Sequence, residues 1–239
     1  MIELFYVASP NVHKICVALE EMALDYRLTP VDVSKGEHHD PARLAGATSG
    51  KLPVIRDDAP EDGGAPLTIF ESGAILQYLA DKSGTLLSRD LRTRQQEMQW
   101  LFWQMAGLGP IGGQLWHFMA FAPEIAPDFD NSYALSRYRN MWSALWRTMD
   151  QRLAETGFLG GDAYSIADIA CYPWILYIDP QEGPQAYPHV CRWRETIGAR
   201  PAVSAAYRRA FALNTGYARN DAGATLFPME GILKNVVII

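Results

Sequence analysis

The feature that most constrains this fold is a change of hydrophobic period part-way along the chain. From Ile2 to Lys82 short β-like runs alternate with helical patterns, whereas from Leu91 to Ala212 apolar residues recur at helical spacing with few β-branched clusters. The first texture signals an α/β unit and the second a set of helices packed on one another. The expected organisation is an α/β domain at residues 1–82, a linker at 83–90, an all-α domain at 91–214 and an extension at 215–239. The stretch "KSGTLLSR" marks the linker because it carries neither period. A chain of 239 residues has room for two modest cores.

Within the first domain, Glu3 to Val7 reads as a strand and Val12 to Met22 as a helix. Its apolar stripe is Val12, Ile15, Cys16, Leu19 and Ala23. Arg27 to Val33 reads as a second strand. Two short strands follow, Val54 to Arg56 and Thr68 to Phe70, joined by the turn-rich "DDAPEDGGAP", and a helix starts at Ser72. The expected order is β-α-β-α-β-β-α, with a helix between the second and third strands. The apolar end "NVVII" of the extension is expected to dock on another surface.

Composition excludes several roles. The formal net charge of −6 is dispersed, so no extended positive field awaits nucleic acid or anionic lipid. No apolar run is long enough to span a bilayer, and the start lacks the pattern of a secretory leader, so a soluble cytoplasmic protein is expected. Cys16, Cys171 and Cys191 form no CxxC and no metal-ligand spacing, which suits reduced thiols and no metal.

The candidate site begins at "ASPNVHKICVALEE". With Ser9 as helix cap and Pro10 at the first helical position, a hydroxyl, the Asn11 amide and backbone N–H groups gather at the positive end of a helix dipole. That is a place to hold an anion, a thiolate included. A free thiol has a pKa of about 8.5, and lowering it by about two units needs roughly 2.7 kcal/mol of selective stabilisation. One hydrogen bond to a charged group contributes about 1.5–3 kcal/mol and a helix N-terminus about 0.3–1 kcal/mol, so one aimed donor plus the dipole suffices. Plain capping also accounts for Ser9 and Asn11, since S-P-N is common turn chemistry.

Two further segments bear on the choice. In "SGKLPVI" a proline enters a strand. A cis Leu52–Pro53 bond there would leave the Leu52 backbone to pair with an extended peptide, although most such bonds are trans. In "IFESGAILQYLA" Glu71 ends a strand and Ser72 opens a helix, so a carboxylate fits at Ser72 and an ammonium at Glu71, together the head group of an α-amino acid. An ordinary helix cap is the other reading of the same pair. In "YSIADIACYPW", by contrast, Ser165 and Asp168 form a structural S-x-x-D capping box.

Other chemically suggestive residues read as structural. Tyr6 lies inside a strand, ahead of the turn that aims groups at the candidate site, and Cys16 falls on the core-facing stripe, where a thiol behaves as a small hydrophobe. His13 and His117 have no partner placed by sequence to orient them, and exposed or cleft-lining positions are expected. Trp100, Phe102, Trp103, Trp116 and Phe118 are expected in core and domain interface, with some walling a second-substrate pocket.

Taken together, "SPNVHKICVALEE", "GKLPVI", "FESGAILQYLADKSG", "MQWLFWQMAGLGPIGGQ" and "YSIADIACYPW" resemble the cytosolic glutathione transferases, most closely the bacterial nu class, over Met1 to Ala210. That class is related to the globular domain of the yeast prion-forming nitrogen regulator and is known for disulfide-bond reductase activity. The resemblance implies a thioredoxin-like α/β N-terminal domain, an all-α C-terminal domain and a homodimer. It also implies glutathione as cosubstrate, as two molecules per subunit or in oxidised form. The cysteinyl backbone would pair with Leu52 ahead of cis Pro53 and the γ-glutamyl end would lie on Glu71 and Ser72. Lys51 and His38 would lie near the glycyl carboxylate and the sulfur would face Ser9 and Asn11. Ser9 stands where threonine is usual, His38 stands where glutamine is usual, and Arg137 in "LSRYRN" matches a class arginine that approaches the site from the helical domain or from the other subunit.

The expected chemistry is attack of a glutathione thiolate on a disulfide, with no protein cysteine required. Conjugation of the same thiolate to an electrophilic carbon and a non-catalytic binding role on the same fold are the alternatives.

Overall fold

A computed structural model of the chain describes residues 1–213; the extension expected at 215–239, with its apolar end, lies outside them. In chain order the elements are β1 (Ile2–Tyr6), α1 (Pro10–Glu21), β2 (Tyr26–Pro30), β3 (Val54–Asp57), β4 (Leu67–Phe70), α2 (Ser72–Ser83), α3 (Leu91–Trp103), α4 (Gly109–Trp116), α5 (Ala122–Ile125), α6 (Ser132–Glu155), α7 (Ile166–Ile175), α8 (Pro188–Gly198) and α9 (Pro201–Ala212). The described chain divides into two compact units, one of residues 1–87 with 199–213, the other of residues 88–198.

The first unit is built on a mixed four-stranded sheet of order β2-β1-β3-β4. α1 carries the chain from β1 to the parallel β2, while β3 runs antiparallel to both β1 and β4. In register, Phe5 pairs with Val54 and Val54 with Phe70, while Tyr6 pairs with Pro30. The segment after β1, the entry to β3, the exit of β4 and the loop after β2 therefore all emerge at one end of the sheet. Phe5, Val31, Leu44, Ala47 and Val54 form a buried cluster near that end, with Leu52 packed against it.

Between β2 and β3 the expected helix is absent. Two single 3-10 turns stand there, Val33–Lys35 and Glu37–His39, separated by Gly36 at φ 73°. Ala45, Gly46 and Gly50 also take positive φ, at 51°, 88° and 64°. A backbone that leaves the right-handed region this often cannot propagate a helix, and the chain instead follows the local hydrogen bonds of Asp32 and Asp40.

The division between domains also differs from the sequence expectation at its ends. α9, assigned above to the all-helical part, belongs to the first unit, where it lies antiparallel along α1. At one end the Arg200 guanidinium donates to both Glu21 carboxylate oxygens, at 2.6 and 2.7 Å. At the other, Tyr207 and Phe211 pack on the His13 ring, with centroids 5.0 and 6.1 Å away. With α2 packed beside it as well, α1 is buried on nearly every side rather than along one stripe: every residue from Val12 to Leu19 is buried, His13 and Lys14 included.

The second unit is helical throughout its main elements. The long α6 presents Trp142, Trp146, Met149 and Leu153 to its core at i, i+4, i+7 and i+11. α7 is buried along its whole length and opens on the expected capping box, in which the Ser165 N–H donates to the Asp168 carboxylate at 3.0 Å and the Ala167 N–H to Ser165 Oγ at 3.3 Å. The aromatic run expected to supply this core does so only in part: Phe102 is exposed and Trp100, Trp103, Trp116 and Phe118 are half-buried, while the fully buried tryptophans are Trp142, Trp146 and Trp193.

Candidate active site

The end of the sheet where β1, β3 and β4 converge carries most of the residues singled out by sequence. After β1, Ser9 takes an extended conformation, φ −152° and ψ 153°, and caps α1. Its Oγ accepts the Val12 N–H at 3.4 Å, which leaves the hydroxyl hydrogen to donate elsewhere. Pro10 occupies the first helical position, and Asn11 beside it is half-buried.

One strand over, the Leu52–Pro53 bond entering β3 is cis. Pro53 is buried, Leu52 half-buried and Lys51 exposed. The turn before them is held by Ser49, whose Oγ donates to the Lys51 carbonyl at 3.2 Å. Against this turn lies the 3-10 turn bearing His38. The neighbouring His39 Nδ1 sits 3.0 Å from where a Cβ on Gly50 would be, and the His38 and His39 rings lie 3.9 Å apart. Partial burial, and after it the second imidazole, hold the His38 pKa below its ordinary value.

At the exit of β4, Glu71 has φ 72° and ψ 116°, a conformation that costs a non-glycine residue roughly 1–3 kcal/mol. It stands at the N-cap of α2 yet makes no side-chain capping bond, and its side chain is exposed. Ser72 is buried, and its Oγ accepts a hydrogen bond from Lys14 Nζ at 3.2 Å. Sequence reasoning assigned nothing to Lys14, which is only 1% exposed. Its position beside the apolar stripe of α1 gives no local signal, because its partner lies 58 residues along the chain. Arg137 belongs to the second unit, where it is exposed on α6.

Strand spacing sets the scale of this arrangement. Neighbouring strands lie about 4.8 Å apart, so the step from β1 across β3 to β4 covers about 10 Å. An extended tripeptide spans about 10 Å. A short peptide laid across the strand ends thus reaches from the first turn of α1 to the first turn of α2.

No protein thiol is poised for chemistry there. Cys16 is 1% exposed in the core, and burial, reinforced by Glu20, pushes its pKa up to about 12. All three cysteines are thiols, and Cys171 and Cys191 belong to the second unit. Tyr6 is buried within β1, its hydroxyl 3.3 Å from His13 Nε2. His13, expected to be exposed or to line a cleft, is 1% exposed because α9 covers it, and burial depresses its pKa to about 3. It is therefore a neutral core residue at physiological pH. His117 is half-buried against Phe118 and Phe121. Among the described residues no cluster of His, Cys, Asp and Glu could hold a metal ion, and no helix is long and apolar enough to cross a membrane.

Comparison with known families matches both units. Residues 8–82 fit the model of the glutathione S-transferase N-terminal domain, and residues 120–201 that of the C-terminal domain. The chain belongs to the glutathione S-transferase family. Within this enzyme family it is 46% identical over 211 residues to the disulfide-bond oxidoreductase YfcG of Escherichia coli K12, a match covering 88% of this chain and 96% of the relative. Among solved transferases, one from Burkholderia graminis with two glutathione molecules bound per subunit is 35% identical, with a TM-score of 0.79 and coverage of 90% of this chain and 89% of the other. Another, from Pseudomonas putida with one glutathione disulfide bound per subunit, is 34% identical, with a TM-score of 0.76 and coverage of 86% and 90%.

Proposed function

We propose that this transferase is a glutathione-dependent disulfide-bond reductase of the nu class. The observation that carries the reading is the convergence at one sheet end of the Ser9-capped start of α1, the Leu52–Pro53 entry to β3 and a strained start to α2 without a side-chain cap from Glu71, with no protein thiol poised beside them. The γ-glutamyl group goes to Glu71 and Ser72, the cysteinyl backbone to Leu52 beside Pro53, and the glycyl carboxylate to Lys51 and His38. Arg137 completes the set of candidate ligand-binding residues. The relative named a disulfide-bond oxidoreductase and the neighbours crystallised with two glutathiones or a glutathione disulfide support the same chemistry.

In this reading the Ser9 hydroxyl and the Asn11 amide donate to the glutathione sulfur and hold it as thiolate. The thiolate attacks one sulfur of a substrate disulfide, forming a glutathione mixed disulfide and expelling a substrate thiolate. A second glutathione thiolate attacks the glutathione sulfur of that mixed disulfide, releasing glutathione disulfide and the other substrate thiolate. Two glutathiones are thereby oxidised, one disulfide is reduced, and the expelled thiolates take up the protons the two glutathiones lost. The three protein thiols take no part, consistent with a reducing cytoplasm. Exposed Leu67 and Phe70 on the edge strand β4 support assembly as a homodimer.

The deciding experiment replaces Cys16, Cys171 and Cys191 together by alanine and measures turnover of hydroxyethyl disulfide with glutathione. Activity is expected to stay within about threefold of the parent enzyme. A folded triple variant without activity overturns the mechanism.

A further inference from the structure

The two nitrogens of the His38 ring meet different surroundings. Nδ1 is fully enclosed and has no hydrogen-bond partner, while no described residue engages Nε2, which keeps contact with solvent. The His39 ring lies 3.9 Å away at a tilt of 40°. His39 also reaches the turn before β3, where its Nδ1 and Cε1 stand 3.0 and 3.5 Å from where a Cβ on Gly50 would be. We infer that His38 recognises the glycyl carboxylate of glutathione as an uncharged donor through Nε2–H, and that His39 is the positioning residue that holds its ring in that orientation. The inference rests on the reading that the glycyl end of glutathione lies at Lys51 and His38.

The bare Nδ1 makes the argument. A neutral imidazole carries one hydrogen and one lone pair, whereas an imidazolium carries a hydrogen on each nitrogen. Charging His38 would therefore bury an N–H at Nδ1 with nothing to accept it. Of the two neutral forms, the one with its hydrogen on Nδ1 has the same fault and turns a lone pair toward an incoming carboxylate. The one with its hydrogen on Nε2 turns a donor toward it. Burial, and after it the second imidazole, also hold the His38 pKa below its ordinary value. The carboxylates beside the pair are engaged elsewhere: Glu37 accepts the Asp32 N–H at 2.9 Å and Arg43 at 3.1 Å, and Asp40 accepts the Ala42 N–H at 2.9 Å. Lys51 is exposed, so it supplies the positive charge to the ligand while His38 supplies a directed hydrogen bond.

A ring free to turn would exchange its two nitrogens and admit water to Nδ1, so this division of roles needs a wall. His39 supplies one, since it touches both the His38 ring and the Gly50 backbone, and Gly50, at φ 64°, leaves the room for it. The Ser49 bond to the Lys51 carbonyl at 3.2 Å fixes the turn on which His39 rests.

The test uses calorimetric titration of the full chain with S-methylglutathione, whose blocked sulfur cannot titrate, and with the N-methylamide of γ-glutamyl-S-methylcysteine, which lacks only the glycyl carboxylate. His38→Ala is expected to weaken the first ligand about tenfold and to bind the second as the parent does, and His38→Gln, which keeps an uncharged donor, should recover most of that loss. Titrations at about pH 7 in buffers of different ionisation enthalpy should show the parent and His38→Gln taking up equal numbers of protons on binding S-methylglutathione, within about 0.1. Nitrogen-15 spectra, in which the His38 signals are those missing from His38→Gln, should report Nδ1 without hydrogen in the parent and a mixture of forms in His39→Ala. His39→Ala should also raise the KM for glutathione about threefold or more with kcat at saturation within about twofold, and His39→Phe, which keeps a flat ring, should restore it. Extra proton uptake by the parent, a hydrogen on Nδ1, no recovery in His38→Gln, or a His39→Ala variant with the KM and spectrum of the parent overturns the inference. If His38→Ala weakens both ligands alike, or neither, the assignment of the glycyl carboxylate to His38 fails and the inference falls with it.

Discussion

Ser9→Ala separates a capping role from a chemical one, because the two losses have different sizes and different readouts. The cap bond from the Val12 N–H is long, at 3.4 Å, so its loss is expected to lower stability by at most about 1 kcal/mol. The hydrogen that Ser9 has left to donate is worth about 1.5–3 kcal/mol to a thiolate. At about 1.4 kcal/mol per pKa unit, losing it raises the pKa of bound glutathione by about one to two units. If the intact site holds that thiol near about 6.5, some three-quarters of it is thiolate at about pH 7; after the change roughly 2–20% remains. Turnover of hydroxyethyl disulfide at neutral pH should fall about 4- to 40-fold and recover as the pH rises past about 9. Ultraviolet titration of the bound thiolate reports the pKa directly, the pH–rate profile reports its consequence, and Ser9→Thr should keep both. A bound-thiol pKa that does not move, with any rate loss equal at every pH, would refute the argument and leave Ser9 as a helix cap.

Three other perturbations follow from the geometry. Glu71→Gly relieves the positive φ and should leave the protein as stable or up to about 1 kcal/mol more stable, while raising the KM for glutathione; a variant less stable than the parent, or one with unchanged KM, would count against a strained recognition residue. Asp168→Asn should destabilise by about 2–4 kcal/mol in urea unfolding, because Oδ1 accepts from the Leu159 N–H and Trp193 Nε1–H and Oδ2 from the Ser165 N–H, so an amide NH2 faces a donor either way round; a loss under about 1 kcal/mol would contradict this. His13, depressed to about 3 by burial, binds its proton more weakly folded than unfolded, so its contribution is fully present above about 6.5 and is lost as the pH falls toward about 3. His13→Gln should therefore remove up to about 1.4 kcal/mol per pH unit from the acid slope of stability between about pH 6 and about pH 4, and parallel slopes in the two proteins would disprove it. Burial raises the Asp168 carboxyl to about 6, which gives the opposite slope over the same window, but it is present in both proteins and cancels in their difference.

What the sequence made legible was local. The apolar stripe of α1 from Val12 to Leu19, the Ser165–Asp168 box and the strand-ending Glu71–Ser72 step are all encoded within a few residues and appear where the pattern put them, whereas Ala23, placed on the same stripe, lies exposed beyond the helix end at φ 50°. The helix expected between β2 and β3 failed because the positive φ at Gly36, Ala45, Gly46 and Gly50 outweighs the residue types around them. The burial of His13 and Lys14 was illegible for a different reason. Each lies on a part of α1 that is covered only because α9 and α2 pack there, and periodicity within one helix carries no record of a second or third neighbour.

The pairing of α9 with α1 also bears on how the protein is made. Glu21 waits for Arg200, 179 positions later, and the flank of α1 around His13 is closed by Tyr207 and Phe211 near the end of the described chain. During synthesis the sheet, α1 and α2 emerge before α9, so their core stays open on one side until the whole helical unit and α9 have left the ribosome. A product that stops anywhere in the helical unit would carry the complete set of proposed glutathione contacts at the strand ends on a scaffold missing one wall. Completion of the first unit, and with it the rigidity those contacts need, is thus tied to synthesis of the whole helical unit and α9.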